Sequence, residues 1–369
     1  MKRIKTLTSL LAVMAVTLAS AGDGSFYTRK LPRPDGKPAD MKKPVKVFIL
    51  LGQSNMVGMG NATGDKEGAL ENAVKNEGLY PFLLDDAGNW SVRNDVRNVR
   101  VMVGRGGGMR LFNNEWMSVA GKGGKAGGKI GVEFAVGHQL GNYFDEPVMI
   151  LKSCIGNRSL GWDLLPPGSK GFEFTGKDKK TGKDVTYTYA GYKESPMKWE
   201  KGTQPEKTVG WYAGKQWDDD IANAKKVLSE LDKHYPGAKK YEVAGFFWWQ
   251  GEKDSGDEGL SAKYEENLVN LIKALRKEFD APKAKFVMAT IGEAKKGVGG
   301  NTEKVMDAML ALDSNSGKHP EFKGSVATVF SNPMARGGSG NGHYGGNAKV
   351  YMDVGLTMGE AMVELLKNK

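Results

Sequence analysis

The sequence predicts an α/β protein with a parallel sheet of five strands and helices on both faces. Short apolar runs rich in β-branched residues recur along the chain, and segments with a helical period separate them. The predicted strands are residues 45–51, 147–152, 241–249, 284–291 and 325–330, and the predicted helices are residues 131–144, 218–234, 260–279, 302–312 and 347–366. Because strands and helices alternate, right-handed crossovers should join the strands into one parallel sheet.

The first 21 residues have the features of a secretory signal peptide. Three basic residues at positions 2, 3 and 5 precede an apolar run over residues 7–18, and small residues at 19–21 offer a cleavage site. An uncleaved membrane anchor is the alternative, but the apolar run is short for a membrane span, and no later stretch is long enough. We therefore expect an exported protein without a membrane span.

We expect residues 22–43 to form an extended arm and residues 44–369 to form a single domain. Two insertions, at about residues 60–128 and 157–214, interrupt the alternation of strands and helices. A hairpin is predicted in each insertion. The predicted hairpins pair residues 81–84 with 90–93 and residues 171–175 with 185–190.

The charge and the single cysteine exclude several classes of protein. The chain has 53 basic and 43 acidic residues, a net charge of +10, but no basic helix with interleaved aromatic residues, so we do not expect nucleic-acid binding. The lone Cys154 excludes an internal disulfide and a cysteine-rich metal site, and its apolar surroundings predict a buried thiol. The glycine-rich loops lack a phosphate-binding pattern, and we expect neither a cofactor nor a metal.

The residues that follow the predicted strands point to acyl transfer. Ligands of a parallel sheet bind at the carboxyl ends of its strands, so these side chains should meet at one edge. Ser54 follows the first strand and precedes a short helix, where it is either a nucleophile or a helix N-cap. His343 lies in a glycine-rich loop beyond the fifth strand, whereas the other three histidines lie on helices or a surface turn. We expect His343 to be the base.

An acyl-transfer intermediate carries an oxyanion, which needs preorganised hydrogen-bond donors. The candidates are the N–H groups of Ser54 and Gly156 and the side-chain amide of Gln250, which could instead be a structural cap. The neighbouring polar residues Gln53, Asn55 and Asn157 are candidates for substrate binding.

Three motifs carry a resemblance to a known superfamily: GQSNM at 52–56, WWQGEKD at 248–254 and GHYGGNA at 342–348. These motifs resemble those of the SGNH hydrolases, and most closely those of the group that includes sialate O-acetylesterases and carbohydrate esterase family 6, the acetylxylan esterases. The resemblance runs from about residue 45 to the last helix and is weaker in the insertions. It implies a flavodoxin-like, three-layer α/β/α sandwich with a five-stranded parallel sheet. It also implies Ser54 as nucleophile, His343 as base, and Gly156 and Gln250 as oxyanion donors.

The chain departs from this pattern at the acid that orients the histidine. Many members carry an aspartate three residues before the histidine, where this chain has Gly340. The resemblance to relatives that use the glutamate of QGE implies Glu252, and Asp254 is the alternative, although either could instead structure its loop. A carboxylate from any strand end could hold the imidazole tautomer. The second block also has Asn157 after Gly156 where Gly-Gly is common, which keeps the donor N–H and changes the pocket.

We therefore expect an exported serine esterase that removes O-acetyl groups from sialate or acetylated polysaccharide through an acyl-enzyme. A degenerate carbohydrate-binding relative is the alternative that the missing aspartate suggests, and an unrelated flavodoxin-like cofactor binder is disfavoured because no phosphate loop is present. Four tryptophans in or beside the second insertion could stack on sugar rings or anchor the insertion, namely Trp162, Trp199, Trp211 and Trp217. The sequence leaves open which sugar is bound and the oligomeric state.

Overall fold

The computed structural model describes residues 31–104, 107–120, 127–178 and 181–368. The predicted signal peptide and residues 22–30 of the predicted arm lie outside these residues. Residues 31–44 contain no helix or strand. They lie against the end of one helix, where the Asn142 side chain donates to the Pro32 carbonyl at 3.4 Å and the Asp40 N–H donates to the Asp145 carbonyl at 3.1 Å.

The described residues form both strands and helices. The strands are β1 (Val45–Gly52), β2 (Gly60–Asn61), β3 (Arg93–Val103), β4 (Met109–Met117), β5 (Lys129–Ile130), β6 (Val148–Ser153), β7 (Phe172–Lys177), β8 (Asp184–Tyr189), β9 (Lys198–Glu200), β10 (Tyr241–Trp249), β11 (Lys285–Ala289) and β12 (Val326–Val329). The helices are α1 (Ser54–Val57), α2 (Leu70–Lys75), α3 (Glu133–Tyr143), α4 (Lys215–Ser229), α5 (Leu231–His234), α6 (Glu252–Ser255), α7 (Glu258–Ala262), α8 (Tyr264–Glu278), α9 (Gly300–Ala311) and α10 (Ala348–Lys367).

The central sheet has seven strands in the order β12-β11-β10-β1-β6-β3-β4. The five predicted strands are β1, β6, β10, β11 and β12, and they pair in parallel. The predicted number of five is wrong, because β3 adds a sixth parallel strand beside β6 and β4 pairs antiparallel with β3 at the edge. The helices that connect the parallel strands give the alternation that the sequence predicts.

The apolar pattern of the sequence does not predict β3 because its segment, RNDVRNVRVMV, carries three arginines. Arg97 is buried, and its guanidinium donates to the His234 carbonyl at 2.8 Å and to Asn114 Oδ1 at 2.7 Å. A buried cation is tolerated only where other groups satisfy it. The strand therefore depends on partners from distant parts of the chain, which a local apolar pattern does not report.

The sheet separates two hydrophobic cores, which makes the fold a three-layer sandwich. Phe48 and Leu50 of β1 face the core that contains α3 and α10. Val47, Ile49 and Leu51 face the core that contains α4, α8 and α9. Alternate residues of one strand thus pack on opposite faces, and each fully buried aliphatic side chain contributes about 1.5–3 kcal/mol.

The insertions contain one of the two predicted hairpins. β7 and β8 pair antiparallel from Phe172↔Tyr189 onward, and β9 adds a third strand. The other predicted hairpin is reduced to a turn with a single bridge between Leu84 and Trp90, and Pro81–Leu83 is a 3₁₀ helix. Proline cannot donate to a strand ladder, which favours this outcome. None of the helices within the described ranges is long and apolar enough to cross a membrane.

Candidate active site

Ser54 begins α1, and only Gln53 separates it from the end of β1. Gly52 makes the tight connection, because its φ is +148° and a side chain there would collide with the Trp249 carbonyl. Ser54 is thereby placed at the carboxyl edge of the sheet, and its Oγ lies 2.9 Å from His343 Nε2. The structure thus brings into hydrogen-bond contact the two side chains that the sequence suggests as nucleophile and base, 289 residues apart.

His343 lies in a strained turn. Residues 343–346 all have left-handed backbone conformations, with φ of 56° at His343 and 52° at Tyr344. This conformation costs roughly 1–2 kcal/mol for each residue other than glycine. The buried Tyr344 ring stacks on Trp249, with ring centroids 5.9 Å apart and an interplanar angle of 18°. This packing helps to hold the turn that carries His343.

The loop after β6 places Gly156 and Asn157 on the wall of a cavity beside Ser54. A side chain at position 156 would bring its Cβ to 3.4 Å from Ser54 Cβ, so this loop packs closely against the serine. Within the described ranges, no acceptor is bonded to the N–H of Ser54 or of Gly156. Both groups are therefore free to donate to a ligand, and their role as oxyanion donors stays a prediction.

Gln250 lies behind the cavity wall and is fully buried. Its amide nitrogen contacts the Arg158 carbonyl at 2.9 Å, Asp254 Oδ2 at 2.6 Å and Gln53 Oε1 at 3.2 Å, and its Oε1 accepts from the Tyr264 hydroxyl at 2.9 Å. A side-chain amide has two N–H groups, and these contacts occupy both. The geometry does not support the predicted role of Gln250 as an oxyanion donor and indicates a positioning role.

Gln53, in contrast, lies on the cavity wall next to Ser54. Its Oε1 accepts from the Gln250 amide and, at 3.4 Å, from the Lys253 N–H. Among the residues that the structure describes, its Nε2 has no hydrogen-bond partner. The Gln250 contact thus fixes the Gln53 side chain with an unused donor beside the serine.

Asp254 is fully buried and organises the loop that follows Gly156. Its carboxylate accepts from the N–H groups of Leu160 and Gly161, both at 2.8 Å. Burial raises the pKa of Asp254 to about 6. The two candidates for the orienting acid are thus separated, because Asp254 holds a loop and makes no hydrogen bond to His343 within the described chain.

Glu252 lies on the cavity wall and is 7% exposed. Its Oε1 accepts from Asn55 Nδ2 at 2.6 Å, while its Oε2 has no partner among the described residues. Burial raises the pKa of Glu252 to about 7, with a further contribution from the negative charge of Glu293. In the described chain no carboxylate is hydrogen-bonded to His343, so the predicted role of Glu252 does not rest on a direct contact.

The sequence suggests that Asn55 binds the substrate. In the structure, however, Asn55 is fully buried and does not line the cavity. Its Nδ2 donates to Glu252 and, at 3.0 Å, to the Gly340 carbonyl. Its Oδ1 accepts from the Tyr351 hydroxyl at 2.9 Å. Asn55 therefore ties the segment of the serine to the loop of the histidine.

The cavity at Ser54 and His343 has a volume of about 690 Å³. The sequence motifs do not include several residues of its wall, which are Met59, Met197, Gly256, Asp257, Leu260 and Asn341. Met197 comes from the second insertion, where no motif marks it. Asn341 lies two residues before His343, and this proximity is the signal that could have found it.

A second cavity of about 380 Å³ adjoins the first and shares Asn157, Met197 and Lys253 with it. Its wall includes Trp162 and Trp211, and the Arg158 guanidinium lies 4.6 Å from the centre of the Trp211 ring.

The other two tryptophans from the sequence analysis line neither of these two cavities. Trp217 belongs to the core with α8, and Trp199 packs on a small cluster of the insertion. Trp162 and Trp211 belong to the same insertion cluster and also line the second cavity.

The raised pKa of Glu252 predicts a pH-dependent stability. The folded protein holds a proton on Glu252 between the ordinary value of 4.5 and about 7, whereas the unfolded chain loses it. The free energy of unfolding should therefore fall as the pH rises through this window. Glu252→Gln removes this effect, so its stability relative to wild type should increase on the order of 3 kcal/mol from pH 4 to pH 8. Urea unfolding at both pH values measures the change, and an equal difference at both would contradict the prediction.

Comparison with known families adds independent evidence. Residues 195–362 match the family model described as "Carbohydrate esterase, sialic acid-specific acetylesterase". The match covers somewhat less than half of the chain. The chain is a carboxylic ester hydrolase, and the resemblance drawn from the motifs is confirmed. The matched residues include the motifs at 248–254 and 342–348, whereas the motif with Ser54 lies outside them.

Three solved structures match the chain at low identity. A protein from Arabidopsis thaliana is 17% identical to the esterase, with a TM-score of 0.46 and coverage of 88% of this chain and 99% of that one. A carbohydrate acetylesterase from Xanthomonas citri is 14% identical, with a TM-score of 0.48, and the match covers 88% of this chain and 57% of that one. NanS is 11% identical, with a TM-score of 0.46, and the coverage is 90% and 100%. No curated protein matches the sequence.

Proposed function

We propose that the esterase is an exported serine hydrolase that removes O-acetyl groups from a carbohydrate, either a sialate or an acetylated polysaccharide. The 2.9 Å contact between Ser54 Oγ and His343 Nε2 in the wall of the cavity carries this proposal. A serine hydroxyl becomes a good nucleophile when an adjacent imidazole removes its proton. Export is supported by the signal-like features of residues 1–21.

In the proposed reaction, Ser54 Oγ attacks the acetyl carbonyl carbon while His343 Nε2 takes its proton. The N–H groups of Ser54 and Gly156 donate to the oxyanion, and Gln53 Nε2 takes the place that the sequence suggested for Gln250. Collapse of the tetrahedral intermediate breaks the bond to the sugar oxygen, which receives the proton from His343. Water, deprotonated by His343, then attacks the acetyl-serine; the bond between the acyl carbon and Ser54 Oγ breaks, Oγ receives the proton from His343, and acetate leaves. Each oxyanion donor is expected to lower the barrier by about 3 kcal/mol.

The cavity walls support a division of the substrate between two spaces. Met59, Met197 and Leu260 are apolar residues of the first cavity, where the acetyl methyl group would bind. The second cavity would take the sugar, because Trp211 offers an aromatic ring and Asn157 is shared by both spaces.

Covalent labelling tests the proposal. A fluorophosphonate should form one adduct per chain on Ser54, located by peptide mass spectrometry, and should abolish acetate release from O-acetylated sialic acid or acetylated xylan. Ser153→Ala is the matched control, since Ser153 is a fully buried serine at the end of β6 whose Oγ donates to the Asp220 carbonyl at 3.0 Å. This variant should label like wild type. Sugar binding without any adduct would instead favour the degenerate carbohydrate-binding alternative.

A further inference from the structure

Residue 340 has no side chain, and carboxylates from elsewhere surround the place where one would be. A Cβ at Gly340 would lie 3.0 Å from Glu252 Oε1 and 2.9 Å from the Tyr344 hydroxyl, and it would collide with Glu293 Oε2. Glu293 follows β11, and its Oε2 accepts from the Gly340 N–H at 2.7 Å. A residue that no motif marks therefore contacts the backbone three positions before His343.

Gly340 is the point at which the histidine loop is attached to the rest of the site. Its carbonyl accepts from the His343 N–H at 2.9 Å and from Asn55 Nδ2 at 3.0 Å, while its N–H donates to Glu293. The left-handed residues that begin at His343 need external contacts to remain in place, because such strain persists only where the surroundings hold it. Glu293 provides the contact on the N–H side of Gly340.

Glu293 makes this contact close to a second carboxyl group, that of Glu252. No cation pairs with Glu293 in the described part of the chain, and its charge adds to the rise in the pKa of Glu252. A nearby negative charge disfavours the ionised form of a carboxyl group, here that of Glu252. A charge-assisted hydrogen bond from a backbone N–H offsets part of this cost, and that bond is made to the histidine loop.

We propose that Glu293 is a positioning residue of the esterase, which holds Gly340 and thereby keeps His343 Nε2 in contact with Ser54 Oγ. This inference rests on the proposed Ser54–His343 function and adds a residue outside the recognised motifs. Because a displacement of about 1 Å can cost roughly 100-fold in rate, loss of the anchor should reduce turnover while the binding cavity remains formed.

Three substitutions test the role of the anchor. Glu293→Ala removes the acceptor, and kcat for p-nitrophenyl acetate should fall about 10- to 100-fold with KM changed less than about 2-fold. Glu293→Asp keeps the charge but shortens the side chain by one methylene group. Its kcat should therefore also fall. Glu293→Gln keeps an oxygen that can accept the Gly340 N–H, and kcat should stay within about 3-fold of wild type.

Glu303→Ala is the matched control for this series. Glu303 of α9 also accepts from glycine N–H groups, those of Gly297 and Gly299, in the segment that follows Glu293. Its loss should leave kcat unchanged. The proposal is overturned if Glu293→Ala and Glu303→Ala lower kcat equally, if Glu293→Gln loses as much as Glu293→Asp, or if Glu293→Ala retains wild-type kcat.

The series also separates this proposal from the function on which it rests. If wild type forms no fluorophosphonate adduct at Ser54, the proposed function fails whatever the Glu293 variants do. If wild type is labelled, the rate of labelling should fall with kcat in Glu293→Ala and Glu293→Asp and be restored in Glu293→Gln. Should Glu293→Ala not fold, the comparison of the Asp and Gln variants still decides the outcome.

Discussion

Ser54→Ala is expected to lower kcat/KM for p-nitrophenyl acetate by about 10⁴-fold or more, with an unchanged circular dichroism spectrum. The substitution removes the only atom that we place in the covalent step, whereas Ser54 contributes little to either hydrophobic core. His343→Ala should cause a loss of similar size, since the serine hydroxyl is then left without its base. Initial rates on p-nitrophenyl acetate, with melting temperatures for each variant, measure these effects.

The double variant Ser54→Ala/His343→Ala should be no slower than the slower single variant, because residues that act as one unit are not additive. His319→Ala is the matched control, since His319 pairs with Glu265 of α8 and lies outside the cavity wall. Its rate should equal that of wild type. Full activity in Ser54→Ala, or additive losses in the double variant, would contradict the Ser–His centre.

Lys152→Met should destabilise the fold by about 3–5 kcal/mol, the largest effect on stability that we expect. Lys152 in β6 is 1% exposed, and its Nζ contacts Glu133 Oε2 at 2.5 Å and the Val57 carbonyl at 3.0 Å. Burial lowers the pKa of Lys152, and the Glu133 carboxylate opposes this effect. Removing the cation leaves a buried carboxylate without its partner, which costs more than the ion pair itself contributes. Urea unfolding at pH 7 measures the change.

The comparison with Lys46→Met isolates the effect of burial. Lys46 in the neighbouring strand β1 also forms an ion pair, at 2.6 Å with Glu242, but Glu242 is 57% exposed. Its loss should cost less than about 1 kcal/mol. The double variant Lys152→Met/Glu133→Gln should recover part of the stability, because the uncompensated charge is gone. Equal losses in Lys152→Met and Lys46→Met would refute the argument from burial.

Much of the fold follows from local pattern. The runs at 45–51 and 241–249 are strands in the structure because an apolar, β-branched or aromatic run is buried wherever the sheet has helices on both faces. The local pattern does not predict β3 and β4. The guanidinium of Arg97 donates hydrogen bonds to the His234 carbonyl and to Asn114. The burial of β3 inside the sheet therefore depends on residues remote in sequence.

The site shows the same division. The motifs name Ser54 and His343 as candidates, and the structure places them in contact. The motifs also contain Gln250 and Asn55. In the structure, both side-chain amides donate hydrogen bonds to other groups of the protein interior. Glu293, which contacts the histidine loop, belongs to no motif.

The sequence by itself determined the α/β class, five of the parallel strands and the candidate nucleophile and base, since these depend on short apolar runs and on residue types at strand ends. Only the tertiary structure decided the seven-stranded sheet, the burial of Gln250, and the contact of Glu293 with Gly340. The physical reason is that a polar side chain takes its role from the donors, acceptors and charges around it, and distant segments supply these only when the chain has folded.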